Sequence, residues 1–451
     1  MYPRAWPAPR PRPRSRLMAH PTTPPPIPGA PPPATFRGVL LAIALVAGFA
    51  ELAYAVMNVS AMPVYLHHSM GYGAASVVAI GAAFLLCEGL MKGPFGVLGD
   101  RIGRKRLIIA GPLVSVATSL LTLAVQPHQW YLFVILRALD GLGAAALWPS
   151  ALAMIADVVE DDRRSQAMSL FNVTYLVGIA LGPFIGGAAN DLTALVTEQL
   201  GMRNVDPLQA SFYLISALFF CTAVAAWRQI PHIPPHHERH PEVEGGFSLS
   251  ALLRSLRQMP EMLLMAFVTF LGIGMIMLII KLFALAEFRL SETAFGALLL
   301  VPCLIIALAS VPLGTVGDRI GKARAVRLGI GLCAAAMWAL ILIKSEIALV
   351  LGGSIIGVGF VIAFPAWMAY ISARCHPRQR GAVMGAVGTA QGLGAMIGVP
   401  LGGWLYEHAH IRTPFLPWIN SHYAPFIGCA ILLLAAWILA VTTIKDTPAQ
   451  C

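Results

Sequence analysis

Charge is what this sequence has least of. Only 12% of its 451 residues are Asp, Glu, Lys or Arg, about half the roughly 25% of an ordinary soluble domain. So little charge cannot cover a water-facing surface of this size, which excludes a soluble enzyme and a disordered chain. Cysteine is sparse and scattered. Cys87, Cys221, Cys303, Cys333, Cys375, Cys429 and Cys451 include no CxxC pair, so neither a disulfide framework nor a zinc site is expected. They read as small packing residues. There is no GxxxxGK[ST] loop, which argues against direct ATP drive. The apolar runs hold no HExxH and no nucleophile–base constellation, so an enzyme is not expected.

What is abundant is apolar: 57% of residues are hydrophobic and the mean hydropathy is +0.74. The exception is residues 1–35, rich in Pro and Arg. With no apolar core they read as a disordered cytosolic tail, not a signal peptide. From Phe36 on, apolar runs of about 20 residues recur, each long enough to cross a hydrocarbon layer of ~30 Å as a helix. Twelve are predicted, near 37–62, 73–95, 107–125, 131–155, 167–189, 209–228, 261–285, 293–313, 326–344, 347–371, 382–404 and 422–443. Residues 229–260 (PHIPPHHERHPEVEGG, then an amphipathic stretch) divide six spans from six and read as a cytosolic linker. Its four histidines (His232, His236, His237, His240) allow a metal site, but with no fixed ligand geometry a solvated polar linker is the better reading. A short tail, 445–451, closes the chain.

With the N-terminus inside, 24 Lys and Arg fall in inside segments and four outside. Three, Lys92, Arg137 and Lys281, lie within spans. The positive-inside rule then places both termini in the cytosol and accounts for most of the net charge of +10 without nucleic-acid binding. The expected partners are the bilayer and a small-molecule substrate, with the chain a monomer in the plasma (inner) membrane.

The halves repeat. GVLGDRIGRKR begins at Gly96 and GTVGDRIGKAR at Gly314; GIALGPFIGG begins at Gly178 and GAMIGVPLGG at Gly394. Gly141, Gly143 and Pro149 align with Gly357, Gly359 and Pro365. All three matches share an offset of 216–218 residues. Repeats six helices apart keep one orientation, so they meet about an axis along the membrane normal with a site between them. Rocking about that site gives alternating access.

These motifs resemble those of the major facilitator superfamily, over nearly all of Phe36 to Ile444. The loop signature GxxxDRxGRK is matched by Gly96, Asp100, Arg101, Gly103, Arg104 and Lys105, and a second copy by Gly314, Asp318, Arg319, Gly321 and Lys322. The fourth span's Arg137, Gly141 and Gly143 match RxxxGxG. Gly178, Gly182, Pro183, Gly186 and Gly187 resemble the GxxxGPxxGG pattern of the drug:proton antiporter branch. The resemblance implies an all-α membrane fold of twelve helices in two pseudo-symmetric six-helix bundles. It implies that the loop cluster latches the outward-facing arrangement, with Asp157, Asp161 and Arg163, just after the fourth span, as candidate partners of that cluster. It also implies that the glycine run of the fifth span is a hinge that seals the path between halves. Small-residue packing accounts for the same glycines.

Ionisable residues inside spans are functional candidates by default. Glu51 heads them: it lies about 21 Å along the first span, with Asn58 two turns on and Pro63 expected to end the helix. Desolvated carboxyls titrate nearer neutrality than solvated ones, so a buried acid can exchange protons and also attract a cation. A purely structural, hydrogen-bonded Glu is the alternative. Arg137 and Asp140 (i, i+3) and Glu88 and Lys92 (i, i+4) can pair on helix faces. Lys281 can snorkel from the outer end of its span or meet substrate. Tyr54, Trp148, Asn172, Tyr175, Trp367 and Gln391 are candidate cavity residues, aromatic faces suiting apolar or cationic compounds. The expectation is proton-coupled efflux of small amphipathic compounds, with no cofactor. A nutrient or organic-acid importer, using Arg137 and Lys281 to hold a carboxylate, and a non-transporting receptor or assembly factor are the alternatives.

Overall fold

The computed structural model describes residues 36–158, 161–202, 205–230, 260–314, 316–374, 380–411 and 416–444, with some side chains inside those ranges left out. The histidine-rich linker and both tails lie outside them. So do the side chains of Asp157, Asp161, Arg163 and Asn172.

The described residues form helices and turns without a strand. Twelve long helices follow the predicted spans: α1 (36–69), α2 (Ala74–Ile102), α3 (Arg104–Thr122), α4 (Trp130–Val158), α5 (Asp161–Gln199), α6 (Ala210–Gln229), α7 (260–288), α8 (Glu292–Gly314), α9 (Lys322–Leu342), α10 (Glu346–Arg374), α11 (Arg380–His408) and α12 (Ala424–Thr443). Eleven are apolar and long enough to cross a membrane. The twelfth, α11, has the length, and the side chains of its first residues, 380–385, lie outside the described ones.

Two elements depart from expectation. Pro63 does not end α1. The helix widens into a π-turn at Val56–Ala61, so Pro63 enters the first turn of a short α segment, and a second π-turn runs from Tyr65 to Ser69. Proline is tolerated there because its missing N–H has no required partner. α7 is broken, its parts Pro260–Met277 and Ile280–Phe288 meeting at Leu278–Ile279.

The signature loops make their reversals on single residues. Gly103 (φ +97°) joins α2 to α3, and Gly321 (φ +94°) joins a one-turn helix, Val316–Ile320, to α9. Only glycine adopts such angles without strain. This end of the molecule carries the Arg and Lys of both motifs and is called here the basic end.

The halves touch mainly through α5 with α8 and α2 with α11, and the close contacts lie at the far end. A Cβ on Gly296 of α8 would collide with the backbone of Phe184 in α5. One on Gly403 of α11 would stand 3.1 Å from Ala75 Cα in α2. Toward the basic end the same helices part: Gly89 of α2 and Gly388 and Gly392 of α11 have open space where a Cβ would stand. The molecule is closed at its far end and open at its basic end.

Candidate functional site

The N-terminal half holds a buried polar chain built from three helices. On α4, the three-residue spacing puts Arg137 and Asp140 on one face, and Arg137 Nη1 donates to Asp140 Oδ2 at 2.5 Å. From α3, Ser115 Oγ donates to Asp140 Oδ1 at 2.5 Å. From α1, Asn58 Oδ1 accepts from Arg137 Nη2. The Ser115 proton is committed to Asp140, so Tyr54 Oη is the donor in its 3.1 Å bond to Ser115 Oγ. The guanidinium lies over the Phe84 ring of α2, 4.6 Å from its centroid. Arg137 and Asp140 are 2% and 1% exposed, so the pair is sealed within its half.

Beside it sits an aromatic cluster. Tyr54 contacts Phe84, Trp148 and Phe219, and Trp148 meets Tyr175 of α5 at 5.4 Å. Glu51 lies one turn before Tyr54, buried at 7%. It packs on Gly178 of α5, where a Cβ would come within 2.8 Å of Glu51 Cβ. Its carboxylate makes no hydrogen bond to the described residues, which sets it apart from Asp140. Glu88 and Lys92 are the charges that act most on it, themselves paired at 2.8 Å along α2. Gln391 and Trp367 belong to the other half. Gln391 Nε2 and Trp367 Nε1 are buried without a hydrogen-bond partner among the described residues, and Trp367 lies in the core of the C-terminal half. The structure thus joins Glu51, Asn58, Arg137, Asp140 and Tyr175 in one region and leaves Gln391 across the divide.

The glycines of α5 split their work. Gly178, Gly182 and Gly186 recur every four residues and lie along α1, against Glu51, Ala55 and Ser60. Gly187 instead faces α8, where a Cβ would stand 2.8 Å from Thr293 N. Pro183 sits between them inside an uninterrupted helix.

At the basic end, Asp100 pairs with Arg104 four residues on, at 2.8 Å, and Arg104 Nη1 also donates to Ala153 O of α4. Lys105 Nζ donates to Trp227 O at the end of α6, 2.8 Å away. These bonds stay within the N-terminal half. A Cβ on Gly96 would stand 4.0 Å from Pro149 Cβ of α4, an ordinary contact. Arg101, Asp318 and Arg319 are exposed.

Lys281 does not snorkel. It is 1% exposed, because the break in α7 turns it into the seam between halves. Its Nζ donates to Ser60 O and Oγ, both at 2.9 Å, and to Glu292 Oε2 at 2.7 Å. Those three bonds use all three ammonium donors. Asn190 of α5 donates to the same Glu292 oxygen at 3.1 Å, and Ser211 of α6 donates to Asn190 Oδ1 at 2.6 Å. Sequence reasoning missed Ser115, Ser60, Asn190 and Glu292. Ser115 had a signal: with Thr118, Ser119 and Thr122 it forms a small polar stripe at helical spacing on α3, all four buried. No group of three metal-ligating side chains occurs among the described residues.

Two six-helix halves that repeat each other, closed at one end around polar side chains and open at the other, have the architecture of a membrane transporter. Comparison with known proteins gives the family. The major facilitator superfamily model matches residues 40–270 and 262–450, and the chain belongs to that family. The inner membrane transport protein YajR of Escherichia coli K12 is 27% identical over 405 residues, covering 86% of this chain and 80% of its own. Multidrug resistance protein 2 of Bacillus subtilis is 26% identical over 338 residues, 74% of this chain and 80% of its own. Among solved structures, the nucleoside transporter NupG superposes with a TM-score of 0.72 at 11% identity, over 90% of this chain and all of that one. A bacterial homologue of the lysosomal transporter Spinster, solved inward-facing and unoccupied, gives 0.66 at 18%, over 90% and 95% of the two chains.

Proposed function

We propose that the protein is a proton-coupled exporter of small amphipathic, preferentially cationic compounds, working by alternating access. The observation that carries this reading is Glu51: a buried carboxyl with no hydrogen-bond donor among the described residues, beside an aromatic cluster, in a half that opens toward the basic end. A carboxyl so placed can hold either a proton or a cationic compound. If the two compete for it, entry of one drives exit of the other. The relatives that include a multidrug resistance protein support the export direction. The basic end is the cytosolic one on this reading, by the positive-inside rule, so the conformation is inward-facing, both termini are cytosolic and the membrane is the plasma (inner) membrane. The energy source is the proton gradient and no cofactor is required. One chain with one central path suffices, so the working unit is a monomer.

The GxxxDRxGRK residues Gly96, Asp100, Arg101, Gly103 and Arg104, with Asp318, Arg319 and Gly321, are proposed as the latch of the opposite, outward-facing state. The pairing of Asp100 with Arg104, within the N-terminal half, fits an open basic end. Gly178, Gly182, Pro183, Gly186 and Gly187 are proposed as the pivot. An importer holding a carboxylate on Arg137 or Lys281 is less well supported, because both cations already have carboxylate partners.

The test is reconstitution of wild type and Glu51→Gln in liposomes under an imposed pH gradient, with lipophilic cations added. Wild type is expected to leak protons in response to compound, and Glu51→Gln to lose that response at least tenfold. Retained flux in the variant would move the coupling role to Asp140 or Glu88. No flux with any compound would overturn the exporter.

A further inference from the structure

The far end is closed by two contacts that repeat each other across the halves. On one side, Thr293 N donates to Asp191 Oδ2 at 3.0 Å. On the other, Ala75 N donates to Glu407 Oε1 at 3.0 Å. Asp191 and Glu407 are 216 residues apart, and Ala75 and Thr293 are 218 apart, the offsets of the internal repeat. Each donor is the second residue of its helix: α2 begins at Ala74 and α8 at Glu292.

The local sequence explains how each carboxylate reaches. Gly187 and Gly403 lie one turn before Asp191 and Glu407, on the same helix faces, and both touch the opposing helix start where a side chain would collide. Small residues at these positions bring the helices together, and the acid one turn later meets the opposing N-terminus. The first N–H groups of a helix have no partner of their own, and its N-terminus carries partial positive charge. At α8, Ser291 Oγ takes one of these groups, Ala294 N, at 3.1 Å. At α2, the capping residue is Gly73, which has no side chain to offer, so Glu407 serves in its place.

We propose that Asp191 and Glu407 are a matched pair of positioning residues that hold the far end closed, each capping from its own half the first turn of a helix in the other. They are the far-end counterpart of the signature loops. Glu407 is exposed and Asp191 half-buried, so both caps can open to water without stranding a charge in lipid. The buried Lys281–Glu292 pair reinforces one seam only, which makes the Glu407 seam the weaker side, the one expected to part first. This rests on the alternating-access reading.

The experiment uses the full chain in lipid nanodiscs, natural cysteines replaced, with spin labels at Met202 and Ile347, exposed positions at the far end of opposite halves. Wild type is expected to show a dominant short distance and a minor long one whose share changes with an imposed pH difference or added lipophilic cation. Asp191→Ala with Glu407→Ala is expected to raise the long-to-short ratio at least tenfold. Asp191→Asn with Glu407→Gln, which keep an acceptor oxygen, should shift it less. Ala75→Pro removes the donor and leaves the carboxylate, and a first-turn proline is tolerated. It should reproduce Glu407→Ala and add nothing to it. Two wild-type distances with an unchanged ratio in the double Ala variant would overturn the caps and leave alternating access standing. A single wild-type distance under every condition would overturn alternating access itself, and the caps with it.

Discussion

Asp140 and Glu51 are carboxyls on neighbouring helices with different surroundings, and the difference assigns them different work. Asp140 accepts from Arg137 and Ser115, so its charge is matched and fixed. Removing one partner of such a pair strands the other, at a typical cost of about 3–5 kcal/mol, whereas replacing both with apolar residues of similar volume is often neutral. Asp140→Ala should therefore lower the detergent-solubilised melting temperature by several degrees, and Arg137→Met with Asp140→Leu should recover most of it. A double variant as unstable as the single would show that the pair does more than neutralise itself. Glu287 offers a contrast at the far end, beyond the end of the predicted seventh span. Burial raises its carboxyl, but bonds from Asn420 (2.7 Å), Lys344 (3.0 Å) and His422 (2.7 Å) outweigh that and hold it below its ordinary value. A depressed folded pKa contributes stability above the unfolded value, near 4.5, and loses it as pH falls through the folded one. Glu287→Gln should flatten the melting temperature's fall on the acid side of that value and leave its slope near neutrality unchanged.

At the scale of the helix, the glycines of α5 separate packing from motion. A side chain at Gly182 would meet Ala55 and Val56 of α1, in the same half. One at Gly187 would meet the α8 backbone, in the other half. Overpacking a well-filled contact costs roughly 1–3 kcal/mol, paid wherever the contact persists. Gly182→Ala should lower the melting temperature and leave the balance of conformations alone. Gly187→Ala should do the reverse: its clash disappears when the far end opens, so thiol labelling at that end should rise with little loss of stability. Equal effects on both readouts would show that α5 moves as one piece with neither helix. Much of this was legible in the sequence. Spacing alone gave the i, i+3 pair of Arg137 and Asp140 and the i, i+4 pair of Glu88 and Lys92. The glycines of the signature loops marked both one-residue reversals. Ser60, Ser115, Asn190 and Glu292 were not legible as partners, because they sit on separate helices whose rotation about their axes is settled only by packing. Pro63 misled for a local reason, since a π-turn ahead of it shifts the register of required donors. Lys281 misled because the break in α7 redirects it from the lipid edge to the seam.

For the whole molecule, the question is what makes the closed far end preferable and still reversible. Lys281 and Glu292 are sequestered there with every ammonium donor used, and Ser60 and Asn190 tie them to the other half. Their mutual attraction survives any motion that keeps α7 and α8 together, because both belong to one half. What opening removes is the bonds to Ser60 and Asn190, and water can replace those. A single substitution therefore penalises mainly the closed state, where the remaining charge or polar group is dry. Glu292→Gln, which leaves the ammonium without its counter-charge, should shift the population toward an open far end by tenfold or more. Lys281→Met should do the same by leaving the carboxylate beside Asn190 alone. Lys281→Met combined with Glu292→Met removes both charges and should return the balance toward wild type, giving a coupling of opposite sign to the single effects. Accessibility of a cysteine at Ser60 to a membrane-impermeant thiol reagent from the far side is not a clean probe, since Ser60 belongs to the network. A cysteine at Leu282, which is buried while the far end is closed and lines the cavity of about 430 Å³ on the far face with His67, His68 and Glu407, reads the same opening without replacing either member of the pair. If the double variant labels as fast as either single, the pair does not act through charge matching, and the far end is held by packing and helix caps alone.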